Sequence, residues 1–173
     1  MKTYEQHPIQ NQLSERRINW IREQGYFTLT NKEIRELAFG NRFAYRLCVV
    51  LLIFGVAFNY LPLLSLMMLI AFLGVLLPNH PFDYFYNYAM RKKMNKPKLP
   101  PRSKQLKFAC TVATLWIAAT IYLFYAGITT WGYIAGASLI GVAALVGTID
   151  MCIPSKIYNA LFLRKTKTIK TNL

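Results

Sequence analysis

Two long stretches of the chain, residues 47–82 and 108–149, contain no Asp, Glu, Lys or Arg. A helix rises about 1.5 Å per residue, and the apolar core of a membrane is about 30 Å thick. Each stretch is therefore too long for one spanning helix, and turn-forming residues interrupt both, at 59–62 and at 127–132. The pattern predicts an all-α membrane protein whose four transmembrane helices form two hairpins. The predicted spans are 43–60, 62–77, 108–126 and 131–152.

The basic residues lie outside these stretches. All 21 Lys and Arg fall within residues 1–46, 78–107 and 151–173. Cytoplasmic segments of membrane proteins are enriched in Lys and Arg, so the positive-inside pattern predicts that both termini are cytoplasmic. The expected location is the bacterial inner membrane. The net charge of +14 is then explained by the orientation of the protein in the membrane and by contact with the lipid bilayer and its anionic headgroups. Nucleic-acid binding is not expected.

Amphipathic segments follow each predicted hairpin. In the first, apolar residues recur at helical spacing from Phe82 to Met90, directly after Pro81. These patterns predict interfacial helices at about 82–94 and 154–164 on the cytoplasmic side. The link 96–102, with the sequence KPKLPPR, is expected to be extended. The predicted organisation is an N-terminal cytoplasmic segment 1–41, a membrane domain 42–165 and a basic tail 166–173.

The N-terminal segment carries its own helix signals. Residues 14–24 have a helical pattern that Gly25 fits as an end. Thr30 and Glu33 form a capping-box pattern, which predicts a second helix to about Phe39 and a break at Gly40-Asn41 before the first span. This segment is too small for a core of its own, so we expect it to pack on the bundle or on the membrane surface.

The two halves of the membrane domain resemble each other. Phe43-Ala44 opens the first hairpin and Phe108-Ala109 the second, and each hairpin is followed by a proline and then Tyr-Asn. Because both halves begin and end on the same side, the pattern suggests a parallel repeat about an axis along the membrane normal.

The candidate chemistry lies at the cytoplasmic ends of the spans. Cys110 and Cys152 are expected at similar depth, near Asp150, the only carboxylate at the edge of a predicted span. His80 and Asp83 end the first hairpin at the same level. The catalytic candidates are therefore Cys110, Cys152 and Asp150, and the weak metal candidates are His80, Asp83, Cys110 and Cys152. Each has an ordinary structural alternative, and Cys48 is expected to be a packing residue.

Two of these residues allow more specific expectations. Cys152 precedes a helix begun by Pro154, with Lys156 nearby, an arrangement expected to stabilise a thiolate with Cys110 as its resolving partner. Asp150 is expected to pair with Arg46, Lys107 or Lys156, or with backbone N–H groups near Pro154.

Three classes of function remain open at this point. The first is a cytoplasm-facing thiol site for sulfur or redox handling or for a soft metal. The second is a non-catalytic subunit of a larger inner-membrane complex, or a homo-oligomer, docking through residues such as Tyr84, Tyr88 or Trp116. The third is a small oligomeric transporter or channel, disfavoured because few polar residues lie at mid-span. No cofactor is indicated.

Four motifs resemble one known family. They are PNHPFD at 78–83, LPPR at 99–102, FAC at 108–110 and CIPSKIYN at 152–159. In this order they resemble the bacterial membrane family catalogued as domain of unknown function 4395, over about residues 14–165. The resemblance implies a four-span integral membrane protein with no established activity. It also implies that many members carry a second cysteine at the position of Ser155, which would leave this chain without a dithiol in that motif.

Overall fold

The computed structural model describes residues 13–163, and these residues form helices and connections without a strand. Two of the helical segments are π-helical turns, in which the backbone hydrogen bonds span five residues. The α-helices are α1 (Glu15–Glu23), α2 (Asn31–Ala57), α3 (Leu61–Leu76), α4 (Pro81–Phe85), α5 (Arg91–Lys93), α6 (Lys104–Tyr125), α7 (Thr129–Ile149) and α8 (Ile153–Tyr158). The π-helical turns are Tyr86–Met90, between α4 and α5, and Asn159–Leu163, after α8. The predicted tail 166–173 lies outside the described residues.

The local signals at the N-terminus are confirmed. Gly25 follows α1 with a φ of 102°, a left-handed conformation that glycine adopts without strain. At the start of α2, Thr30 Oγ1 accepts from the Glu33 N–H at 3.4 Å, and the Glu33 carboxylate accepts from the Thr30 N–H at 2.8 Å. Both halves of the predicted capping box are therefore formed.

The predicted helix break at Gly40-Asn41 is wrong, because α2 runs through it without interruption. The missing side chain of Gly40 lets the Tyr86 ring and Leu99 approach the helix. The Asn41 amide nitrogen donates to Gln24 Oε1 at 3.0 Å inside the protein. Tertiary contacts at these two positions outweigh the poor helix propensity of Gly and Asn.

This close contact predicts that Gly40→Ala lowers the free energy of unfolding by about 1–3 kcal/mol, the usual range for overpacking. A Cβ at position 40 would lie 2.7 Å from Tyr86 Cε1 and 2.9 Å from Leu99 Cδ2. Gly141→Ala is the matched control, because its Cβ would meet no atom within 4 Å. Thermal unfolding of both purified variants in detergent is the measurement. Equal stability of the two variants would contradict the packing described here.

Both predicted hairpin turns lie where the sequence places them. The connection between α2 and α3 contains Asn59 at a φ of 47°, and Pro62 occupies the first turn of α3. The connection between α6 and α7 contains Gly127 at a φ of 74°. The two connections fold α3 back beside α2 and α7 back beside α6.

Three helices within the described residues are long and apolar enough to cross a membrane: α2, α6 and α7. With 16 residues, α3 is shorter than a usual span. It is followed after a short break by the helical segment Pro81–Lys93, whose axis turns by 80°. Residues 13–163 are thus all-helical, with three helices long and apolar enough to cross a membrane, or four if the bent pair counts as one span.

Two large apolar clusters hold most of the described residues together. In the bundle, α2 packs on α7 and α3 packs on α6, around Leu64, Met67 and Ile117. At one end, α1 and the first part of α2 cover a second cluster that includes Ile18, Ile21, Ile34, Leu37, Tyr86, Leu99 and Leu106. The expectation that the N-terminal segment packs on the bundle is confirmed.

The order of elements occurs twice along the chain. A helical pair is followed by a short helix and a π-helical turn, first as α2, α3, α4 and Tyr86–Met90, then as α6, α7, α8 and Asn159–Leu163. The packing agrees with this correspondence of α2 with α6 and of α3 with α7. The pair formed by α2 and α7 then corresponds to the pair formed by α6 and α3. The repeat about an axis along the membrane normal stays a prediction.

Candidate functional site

A buried ion pair joins the segment after α3 to the extended link before α6. Asp83, in the first turn of α4, accepts from Arg102 Nε at 2.6 Å and from Arg102 Nη2 at 3.0 Å. Asp83 also accepts from the backbone N–H of His80 at 3.1 Å. This hydrogen bond caps the N-terminus of α4, which begins at Pro81. The Arg102 backbone N–H donates to the Pro78 carbonyl at 2.7 Å. The prolines of the link keep residues 96–103 out of helix and so present Arg102 to Asp83.

The third nitrogen of the Arg102 guanidinium points away from Asp83 toward Cys110. Arg102 Nη1 lies 3.6 Å from Cys110 Sγ and 3.5 Å from the Tyr45 hydroxyl, both long contacts. The guanidinium carbon also lies 5.3 Å from the centre of the Tyr45 ring. Arg102 therefore places a permanent positive charge next to a cysteine in the interior.

A cavity of about 80 Å³ lies beside this contact. Its polar lining comes from Tyr45, Cys48, His80, Arg102 and Cys110. The rest of the lining is apolar and comes from α2, α3, α6 and α7: Ala44, Leu52, Met67, Ile70, Ala71, Ala109, Ala113, Ile117, Leu139 and Ala143. The volume is enough for a few water molecules or one small solute. Two thiols and one cation thus face a small apolar chamber.

His80 closes the same chamber in its neutral form. Its Nδ1 accepts from the Phe82 backbone N–H at 3.3 Å, so this nitrogen carries no proton. Burial, together with the nearby Arg102 charge, lowers the pKa of the imidazole to about 3. Gly74 leaves room for the imidazole, since a Cβ there would lie 2.6 Å from His80 Cδ2.

Cys152 does not line the chamber but packs behind two of its lining residues, Tyr45 and Ala109. Its sulfur accepts a hydrogen bond from the Ser155 hydroxyl at 3.0 Å, and its side chain packs with Ala109, Val146 and Tyr45. Burial raises the pKa of the Cys152 thiol, outweighing the hydrogen bonds from Ser155. This direction is opposite to the one expected for a stabilised thiolate at Cys152. Cys48, Cys110 and Cys152 are all free thiols.

Asp150 forms the centre of a second buried ionic group. Its carboxylate accepts from Arg42 Nε at 2.6 Å, from Arg42 Nη2 at 2.7 Å and from Arg17 Nε at 2.8 Å. The expectation of an ionic partner is confirmed, but the expected partners are wrong. Arg46 donates instead to the Gly147 carbonyl at 2.9 Å, and Lys156 pairs with Glu23 at 3.7 Å.

This group ties the N-terminal segment to the bundle. Asp150 ends α7 at a φ of 68°, and its carbonyl accepts from Gln24 Nε2 at 2.7 Å. The Gln24 carbonyl accepts from the hydroxyl of Ser103, the residue that caps α6. Arg17 also donates to the Thr148 carbonyl. Helices α1, α2 and α7 therefore meet at one buried carboxylate, and Gln24 connects α6 to the same group.

The structure divides the five candidate residues, which were expected at one level. Asp83, His80 and Cys110 lie around Arg102, Asp150 lies with Arg42 and Arg17, and Cys152 lies with Ser155. Within residues 13–163, no group of three or more His, Cys, Asp or Glu side chains is placed to hold a metal ion. A metal role for His80, Asp83, Cys110 and Cys152 stays a prediction.

Three residues of the chamber were not among the candidates: Tyr45, Cys48 and Arg102. The sequence held one usable signal, because Arg102 is the only arginine of the extended link and closes the LPPR motif. Cys48 was assigned to packing, since helix depth alone does not reveal which way a side chain faces.

Trp116, expected as a docking residue, donates to the Ala135 carbonyl at 3.1 Å and so joins α6 to α7.

The family described as "Domain of unknown function (DUF4395)" matches residues 39–162. The chain belongs to this family. The matched residues include the whole chamber and Asp150, whereas Arg17 and Gln24 of the N-terminal segment lie before them. The family resemblance expected from the four motifs is confirmed, over a shorter range than expected. No curated protein and no solved structure matches the chain.

Proposed function

We propose that this chain is a multi-pass protein of the bacterial inner membrane, with both termini in the cytoplasm and a buried thiol site that handles sulfur. The topology is supported by three long apolar helices and by the position of the basic residues. In this arrangement α3 is the fourth span, and the helical segment Pro81–Lys93 runs along the cytoplasmic interface. The 80° bend between them agrees with such a change of direction.

The topology predicts opposite labelling of two engineered cysteines. In a chain whose three native cysteines are replaced by Ala, Lys98→Cys should react with a membrane-impermeant maleimide only from the cytoplasmic side. Thr130→Cys, in the first turn of α7 next to the connection from α6, should react only from outside. Labelling of both positions from one side would contradict the proposed topology.

The sulfur site is carried by a single observation, the contact of Arg102 Nη1 with Cys110 Sγ at the wall of the chamber. A positive charge next to a sulfur in an apolar setting stabilises the negative charge that develops on that sulfur during reaction. The apolar walls also limit the access of water to a reactive sulfur species.

The simplest chemistry for this arrangement is transfer of one sulfur atom from a persulfide or polysulfide donor. The Cys110 sulfur attacks the terminal sulfur of the donor and forms a new sulfur–sulfur bond. The donor's sulfur–sulfur bond breaks, and its electron pair leaves with the departing sulfur, which takes the proton lost by Cys110. Arg102 donates to the reacting sulfur, and no further oxidant or reductant is needed.

This proposal predicts that Cys110 accepts sulfur faster than Cys152 in the wild-type protein. The purified chain in detergent would be exposed briefly to inorganic polysulfide, trapped and analysed by peptide mass spectrometry. We expect a rate ratio of about tenfold or more, which corresponds to about 1.4 kcal/mol of preferential stabilisation by the Arg102 charge. The denatured chain is the control, and in it polysulfide should modify Cys110 and Cys152 at similar rates. Equal rates in the folded protein would refute the site.

The transporter alternative receives little support from the spans. The hydroxyls of Thr114, Thr120 and Ser138 donate to carbonyls of their own helices. These groups are therefore satisfied within one helix and do not form a polar pathway between helices.

A further inference from the structure

A second surface of the protein combines positive charge with aromatic rings. It is a groove of about 550 Å³, here called the basic groove, between the helical segment Pro81–Lys93 and the link 98–101. Tyr84, Tyr88, Arg91 and Lys92 line one wall, and Lys98 lines the other. Tyr88 is 84% exposed and Tyr84 is 45% exposed, so both rings are open to the surroundings.

The groove has a defined shape because Asn87 holds its two walls together. Asn87 Oδ1 accepts from the Leu99 N–H at 2.8 Å, and the Arg91 Nε donates to the Asn87 carbonyl at 3.0 Å. The second contact fixes the stem of Arg91 and leaves its two terminal nitrogens for another acceptor. Asn87 lies in the π-helical turn Tyr86–Met90, a type of turn frequently found at functional sites.

The nearest acidic residues along the chain, Asp83 and Asp150, do not neutralise these cations. Between Asp83 and Asp150 there is no Asp or Glu. Asp83 is occupied by Arg102, and Asp150 by Arg42 and Arg17. Within residues 13–163, the ion pairs involve cations other than Arg91, Lys92 and Lys98. Among the described residues these three cations thus have no acidic partner, and an anion bound in the groove would neutralise them.

We propose that the basic groove binds the phosphate headgroup of an anionic phospholipid from the cytoplasmic leaflet. Arginine and lysine N–H groups and tyrosine hydroxyls are suitable donors to phosphate oxygens. The adjoining Phe85, which is 53% exposed, offers an apolar surface beside the groove for the acyl chains. An anionic headgroup fits better than a zwitterionic one, because three cations oppose a bound ammonium group. The proposal rests on the proposed topology, which places the groove at the cytoplasmic interface.

The test uses the full chain in nanodiscs of phosphatidylcholine with increasing phosphatidylglycerol, and counts retained lipids by native mass spectrometry. The variant Arg91→Gln, Lys92→Gln, Lys98→Gln removes the three cations of the groove. The matched control Lys93→Gln, Lys96→Gln, Lys104→Gln removes the same charge from three exposed positions of the same basic block. Each cation near the membrane surface contributes about 1 kcal/mol, and about 1.4 kcal/mol corresponds to a tenfold change in affinity. The groove variant should therefore bind phosphatidylglycerol about a hundredfold more weakly than the wild type. The control should lose less than about fivefold.

A tyrosine variant and a competition with inorganic phosphate distinguish a phospholipid site from other kinds of anion binding. Tyr84→Phe with Tyr88→Phe should weaken phosphatidylglycerol retention by several-fold without changing net charge. Equal losses in the groove variant and the control would overturn the proposal in favour of diffuse attraction. Displacement of the lipid by millimolar inorganic phosphate would overturn it in favour of a soluble anion. If the cysteine at position 98 is labelled only from outside while phosphatidylglycerol is still retained, the topology fails and the lipid site stands, in the opposite leaflet.

Discussion

Asp83→Ala is expected to lower the free energy of unfolding by about 3–5 kcal/mol, the cost typical of breaking a buried ion pair from one side. The Arg102 side chain is only 3% exposed and cannot lose its charge. Without Asp83, its remaining contacts are the long ones to Tyr45 and Cys110. The measurement is thermal or denaturant unfolding of the purified variant in one detergent.

Two controls separate the buried pair from ion pairs in general. Asp83→Ala combined with Arg102→Met removes both charges and keeps an apolar side chain in place of the arginine stem, so most of the loss should be recovered. Glu15→Ala breaks the exposed pair between Glu15 and Arg35 and should cost less than about 1 kcal/mol. If Asp83→Ala costs no more than Glu15→Ala, the Arg102 pair does not organise the site.

Asp150→Leu is expected to destabilise the protein by about 3 kcal/mol or more, and Asp150→Asn by about 1–2 kcal/mol. Leucine removes all acceptors from Arg42 and Arg17. It must also adopt the left-handed conformation of residue 150, which costs most side chains about 1–2 kcal/mol. Asparagine tolerates this conformation and keeps one side-chain oxygen to accept from the arginines. Unfolding of the three proteins in the same detergent is the measurement.

Asp150→Gly distinguishes the two causes. Glycine adopts the left-handed conformation freely but offers no acceptor, so its stability should fall between those of the Leu and Asn variants. Arg42→Met should resemble Asp150→Asn, since Arg17 still reaches the carboxylate. If the Leu and Asn variants are equally stable, Asp150 is a boundary residue and not the anchor of the N-terminal segment.

The sequence allowed much of the fold to be predicted, because the strongest signals act locally. The two uncharged stretches defined the helical pairs, and the left-handed residues Asn59 and Gly127 mark the turns between them. The capping box at Thr30 was predicted and formed. Gly40-Asn41 failed as a break because contacts from distant residues, Tyr86 and Gln24, decided the outcome.

The candidate site was only partly predictable, for a related reason. Helix depth correctly indicated that Cys110, His80 and Asp83 lie near one level, but it did not indicate the direction of each side chain. The pairing of Arg102 with Asp83 depends on how the extended link crosses the end of the bundle. Similarly, Arg42 and Arg46 lie one helical turn apart on α2. The position of α2 along α7 determines that Arg42 reaches Asp150, whereas Arg46 reaches the Gly147 carbonyl.

The sequence alone determined that the chain is helical, has a strongly apolar bundle flanked by basic segments, and belongs with its family. These properties follow from periodicity, charge placement and motifs, which are local and additive. Only the tertiary structure decided that Cys110 faces Arg102 across a chamber, that Cys152 is held by Ser155, and that Asp150 binds α1 to the bundle. Such pairings depend on the rotation and packing of whole helices, which are set by all their contacts together.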